Sequence, residues 1–167
     1  WHAFRLVGSL RRALPSRFST VVRFYVTAAV FLPIGATLGV VLAKGLPSPW
    51  HEQILLAHVS INLLGWVGLT VAGTVVTLWP TMLRTKLGEG SEAALRRALP
   101  IMAVGVAGTA IASSFGLWLL AALMLAGYVF GLALLLRPLV EVARRRHPHG
   151  FPAWSVAAGL TWLVAGL

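Results

Sequence analysis

A chain of 167 residues that is 58% hydrophobic and 11% charged carries too much apolar surface for a water-soluble core of its size, because soluble domains hold about 25% charged residues; lipid must cover part of it. The net charge of +10 comes from 14 Lys and Arg against 4 Asp and Glu, but the arginines flank apolar runs and no basic strip alternates with aromatics, so topology explains the charge and nucleic acid is excluded as a partner. With no Cys, disulfides, thiolate metal sites and CxxCH haem attachment are excluded as well.

Residues 1–20 (WHAFRLVGSLRRALPSRFST) are basic and amphipathic. They read as the end of a preceding helix followed by a connector containing Pro15 and Ser16. The first span is expected over 21–43, with Arg23 and Tyr25 at its entrance and Pro33 in its middle, where a kink is expected. Residues 44–51 (KGLPSPWH) form a turn rich in Gly and Pro, with Trp50 at interface depth. The second span, 52–79, reads EQILLAHVSINLLGWVGLTVAGTVVTLW and holds no Lys, Arg or Asp. At about 1.5 Å per residue it reaches roughly 42 Å, enough to cross a bilayer.

Pro80 and the polar loop TMLRTKLGEG follow. Ser91 and Glu92 can open a third helix, whose span is expected over 97–114 and runs through Pro100. Phe115 and Gly116 make a tight turn into a fourth span over 117–136, with the helix continuing toward Arg146. The segment HPHGFP breaks it, and a fifth span, 153–167, is truncated. The expected fold is therefore all-α: a polytopic transmembrane helix bundle over 21–167 with four complete spans and part of a fifth. The chain opens on Trp1 and closes on Leu167 inside an apolar run, so a piece of a longer membrane protein is expected.

The basic residues sort by side. Five arginines precede or open the first span, four basic residues lie in 80–97 and four in 137–146, so 13 of the 14 fall on one side and Lys44 alone on the other. The positive-inside rule then places the N-terminal side in the cytoplasm and the turns at 44–51 and 115–116 outside. LRRALP occurs at 10–15 and again at 95–100, each time at the cytoplasmic entrance of an outward helix. A duplicated hairpin would explain this echo, and so would a shared need for arginine inside and an early proline.

Polar groups at membrane depth usually have a task. His58 lies about 9 Å along the helix from Glu52, in the outer third of the bilayer. His51, Asn62 and Gly65 fall on nearly the same face, at spacings of seven, four and seven. An imidazole here can ligate haem iron or copper if its other ring nitrogen finds an acceptor, and Gly65 would leave room for a flat macrocycle. The alternative is a histidine hydrogen-bonded to a neighbouring helix.

His51 and Glu52, beside Trp50, form a small polar cluster at the outer surface, read either as a metal or proton relay or as an interfacial anchor. His147 and His149 read as a solvated loop beside anionic lipid. Small-residue pairs at Gly35/Gly39, Gly65/Gly68 and Gly127/Gly131 allow close helix approach, within the bundle or between copies. Ser60, Thr70, Thr74 and Thr77 bond back to their own helix or across helices. With four acidic residues, all near membrane edges, hydrolytic or proton-pumping chemistry is not expected.

The stretch AHVSINLLGWVGLTVAGTVVTLWPTMLRTKL (57–87), with the flanks WHAFRLVGSLRRALPSRF and LPSPWHEQILLAHV, resembles the membrane region of actinobacterial copper-oxidase and nitrite-reductase-like proteins. In those proteins it precedes cupredoxin-type domains. AHxxxNLLGWVGLT is also similar to a helix of haem–copper oxidase-like and NnrS-like membrane proteins, in which the histidine can be a metal or haem ligand. The matching positions here are His58 and Asn62. Relatives often carry a second histidine where this chain has Ser60, a departure that weakens any carry-over of a metal site.

The resemblance implies a bacterial plasma-membrane module with a covalently linked extracytoplasmic copper domain. The copper chemistry would lie outside these residues, and haem or copper at His58 would need ligands from elsewhere. Two other readings stand beside it: a transporter or channel segment in which His58 and Asn62 line a path, and a purely structural anchor.

Overall fold

The computed structural model of the protein describes residues 16–88 and 90–166, with side chains from Thr20 onward. These residues form an all-α bundle of five helices, without a strand among them. We name them α1 (Ser16–Ala43), α2 (Trp50–Met82), α3 (Ser91–Ser114), α4 (Trp118–Arg145) and α5 (Phe151–Ala165). Most of the N-terminal connector expected at 1–20 lies outside the described residues, as does the first copy of LRRALP.

Four of the helices are long and apolar enough to cross a membrane. Their outward faces are as apolar as the inward ones: Val104, Ile111, Leu119 and Phe130 are all well exposed. A continuous apolar exterior of this kind needs lipid around it. The fifth helix is apolar too, but its 15 residues reach only about 22 Å, short of the roughly 30 Å of hydrocarbon.

Helix α2 is the axis of the bundle. It packs on α1 along its length, on α3 through its first half, and on α4 and α5 through its second. The turns at 44–49 and 115–117 lie at the same end, where a Cβ on Gly116 would come within 2.8 Å of Gln53 Nε2. Gly116 adopts a left-handed φ of 69°, which a residue with a side chain rarely accepts; this permits the short turn between α3 and α4. At the opposite end Arg145 reaches the loop at Gly88. All the arginines described lie toward that end, and Lys44 lies at the other.

The α3–α4 pair is the most closely packed. Its contact is built on small residues of α3: a Cβ at Gly105 would lie 2.8 Å from the Tyr128 backbone nitrogen and 2.9 Å from the Met124 carbonyl. In the other direction Gly131 of α4 receives Met102 of α3. Gly127, one turn earlier, faces open space. Trp79 ties α2 to α4 by donating its indole N–H to Leu139 O at 3.0 Å.

These contacts predict a contrast between two glycine substitutions. Gly105→Ala must push backbone apart and should destabilise the protein by about 1–3 kcal/mol. Gly127→Ala meets nothing and should be neutral or stabilising by up to about 1 kcal/mol through helix propensity. Unfolding both variants by SDS titration from mixed micelles checks this; equal effects would contradict the packing described.

Candidate functional site

The middle of α2 departs from α-helical geometry. Ser60–Gly68 (SINLLGWVG) is wound as a π-helix between α-helical stretches. Widening the register from i→i−4 to i→i−5 leaves carbonyls short of donors, and in hydrocarbon every such group needs a partner. Side chains supply them. Ser60 Oγ donates to Leu56 O at 2.8 Å, Asn62 Nδ2 to His58 O at 2.9 Å, and Thr70 Oγ1 to Trp66 O at 2.6 Å. Tyr128 of α4, 1% exposed, donates its hydroxyl to Leu64 O at 3.4 Å. Ser60, Asn62 and Thr70 are visible in the sequence as polar residues of the span; the π winding is not, because its residues keep the apolar pattern of an ordinary helix.

His58 sits at the entrance to this stretch, half-buried, with Nδ1 2.9 Å from Gly35 O of α1. A carbonyl can only accept, so Nδ1 carries the proton. The Asn62 amide nitrogen, 3.3 Å from the same Nδ1, is then a neighbour and not a donor to it; its bond goes to His58 O. In the neutral ring this tautomer leaves the lone pair on Nε2.

The two glycines of α1 make the seat. A Cβ at Gly35 would come within 2.5 Å of the Asn62 amide, and one at Gly39 within 2.9 Å of His58 Cε1. Gly35 and Gly39 thus open a notch in α1 that the polar pair of α2 fills. Gly35 lies eight residues before the end of α1 and His58 eight after the start of α2. Equal counts from a short turn put both at one depth, a signal present in the sequence.

The other site residues are dispersed. Gly65 leaves no gap for a macrocycle: Phe31 of α1 occupies that space, 2.8 Å from where a Cβ would stand. Gly68 receives the Tyr128 hydroxyl, and Gly73 receives Phe24. His51 and Glu52 remain in the first turn of α2, Glu52 exposed, and neither bonds His58 or Asn62 among the described residues. Tyr25 donates to Thr74 Oγ1 at 3.0 Å, since Thr74 spends its own proton on Thr70 O.

Tying one imidazole nitrogen to a carbonyl is how metal-bound histidines are commonly oriented, so His58 suits the role of one ligand. Among the described residues, however, no three of His, Asp and Glu gather as a metal site requires. A haem or copper at His58 would take its remaining ligands from outside them.

Comparison with protein-family models, curated proteins and solved structures finds no match for this chain. The site's standing therefore rests on its geometry, which makes a specific prediction. Gly35→Ala should displace Asn62 and lower stability by about 1–2 kcal/mol. Adding Asn62→Ala removes the clash, so the double variant should be less destabilised than the sum of the singles, with a coupling of about 0.5–2 kcal/mol. Strict additivity in a double-mutant cycle would dissolve the proposed seat.

Proposed function

We propose that this chain is the integral membrane module of a copper-oxidase-like redox protein, anchoring an extracytoplasmic copper domain and presenting His58 Nε2 in the outer leaflet as one ligand position for haem or copper. The observation that carries this reading is the 2.9 Å bond from Nδ1–H of His58 to Gly35 O. It fixes the ring, selects the tautomer and leaves Nε2 as the available base. The resemblance of 57–87 supplies the chemical class. When bound, the metal or haem would supply electron transfer; the chain's own part is to hold the imidazole at fixed depth through the bond to Gly35 O.

A second reading has its own support. Asn62 donates to the carbonyl of His58, and both side chains are packed into the α1 notch. A structural clamp between α1 and α2 would look the same, and in that case the chain is an anchor alone. The two readings separate on one substitution. His58→Asn keeps an amide donor where Nδ1 stood and removes Nε2, whereas His58→Ala removes both.

For a redox module, the reduced-minus-oxidised spectrum and metal content of the full-length protein, with any copper domain deleted, should vanish in both variants. For a clamp, His58→Asn should retain stability that His58→Ala loses, by about 1–2 kcal/mol. A colourless, metal-free wild type would overturn the redox reading.

The orientation belongs to the same proposal: the arginine-rich end in the cytoplasm of a bacterial cell, the 44–51 turn outside. The absence of Cys makes it directly testable. Lys44→Cys should react with a membrane-impermeant maleimide on intact cells, and Arg146→Cys only after permeabilisation. The reverse pattern would invert the topology.

A further inference from the structure

Among the described residues one fully buried side-chain oxygen lacks a hydrogen-bond partner, Thr20 Oγ1. The buried hydroxyls of Ser60, Thr109 and Ser113 each donate to the carbonyl four residues earlier. Thr20, 2% exposed near the start of α1, has no hydrogen-bond partner for Oγ1. An unpaired buried hydroxyl is destabilising and asks for an explanation.

Thr20 lines a cleft of about 310 Å³ between α1 and α3, together with Arg23 and Thr27 of α1 and Arg96, Leu99 and Pro100 of α3. The last three come from the second LRRALP copy. Two arginines and two threonines thus stand beside an apolar wall, with no carboxylate among the described lining residues. Among the described residues the ion pair is Arg137–Glu141, and none joins Arg23 or Arg96 to a carboxylate. A second cavity of about 400 Å³ also borders Thr20, but Glu92 is in its lining, which disfavours an anion there.

We infer that the α1–α3 cleft binds the phosphate of an anionic phospholipid, with Arg23 and Arg96 on its oxygens and Thr20 Oγ1 donating from the cleft's buried side. Arginine forks suit phosphate oxygens. The site lies at the arginine-rich end, in the opening turns of α1 and α3, where headgroups sit, and basic pockets between transmembrane helices are suited to such headgroups. Leu99 and Pro100 accompany the glycerol backbone. A lipid explains the apolar wall, which a free phosphate would not use.

Native mass spectrometry of the delipidated full chain in detergent tests this, by titration with phosphatidylglycerol and with phosphatidylcholine. One phosphatidylglycerol should bind that phosphatidylcholine does not replace. Arg23→Gln with Arg96→Gln should weaken it about thirtyfold, the effect of two arginines at a membrane surface. Thr20→Val should weaken it about fivefold. Arg137→Gln with Arg144→Gln removes equal charge at the same end and should stay within about twofold.

Equal weakening in the two arginine pairs would mean diffuse attraction and would overturn the site. Inorganic phosphate, added in excess, binding as well as the lipid would overturn the lipid as its source. Far-UV circular dichroism monitors folding; if the glutamine pair unfolds, Arg23→Lys with Arg96→Lys takes its place. That pair keeps charge but loses the fork, and an unchanged affinity would overturn the seat.

Discussion

A backbone carbonyl without a partner in hydrocarbon costs several kcal/mol, and the central helix of this bundle is organised around that constraint. Between Ser60 and Gly68 it takes the wider π register, which would strand carbonyls if nothing else changed. Asn62 and Tyr128 reach the carbonyls of His58 and Leu64, one from within the helix and one from α4. Without them the stretch should return to α-helical winding, turning everything beyond it by part of a turn. The faces that α2 shows to α1 and α4 would then no longer match. The polar residues of the span are therefore tied to its winding before any question of chemistry arises.

The glycines follow from the same requirement. Close approach in a membrane has to come from shape, since lipid tails are as apolar as the side chains they would replace. In this bundle the glycines act mainly as receptors for particular side chains. Gly35 and Gly39 receive Asn62 and His58, Gly65 and Gly73 receive Phe31 and Phe24, Gly68 receives Tyr128, and Gly131 receives Met102. Each partner belongs to a neighbouring helix, so these contacts fix which helices adjoin and in what rotation. Gly127, with no partner within 4 Å, shows that GxxxG spacing alone does not make a contact.

The bundle was legible in the sequence because apolar length and arginine bias are bulk properties that survive any detail of packing. His58 and Asn62 stood out for a similar reason, as polar groups deep in an apolar run. Their partner did not stand out. The acceptor is a main-chain carbonyl, and Gly35 betrays itself only by what it lacks. The π stretch was illegible because Leu63, Leu64, Trp66 and Val67 suit either winding, and the deciding donor, Tyr128, lies 64 residues downstream of the carbonyl it serves. Thr20 carries no signal in the sequence, because a threonine near a helix start is ordinary until its missing hydrogen bond is seen.

The two candidate sites sit at opposite ends of α1, and their chemistry differs accordingly. Near the 44–49 turn the imidazole of His58 is held by one fixed bond to Gly35 O. That arrangement presents one ring nitrogen, Nε2, and no cluster of donors. Near the opposite end Arg23, Arg96 and Thr20 offer several donors and positive charge, with no carboxylate among the described residues of the cleft. Arginines that set orientation during insertion need only lie on the correct side; they need not converge. Two of them meeting at an unpartnered buried hydroxyl is a feature that topology alone does not require. A headgroup seated there would join α1 to α3, helices that touch much less than either touches α2, and would brace the end of the bundle farthest from His58.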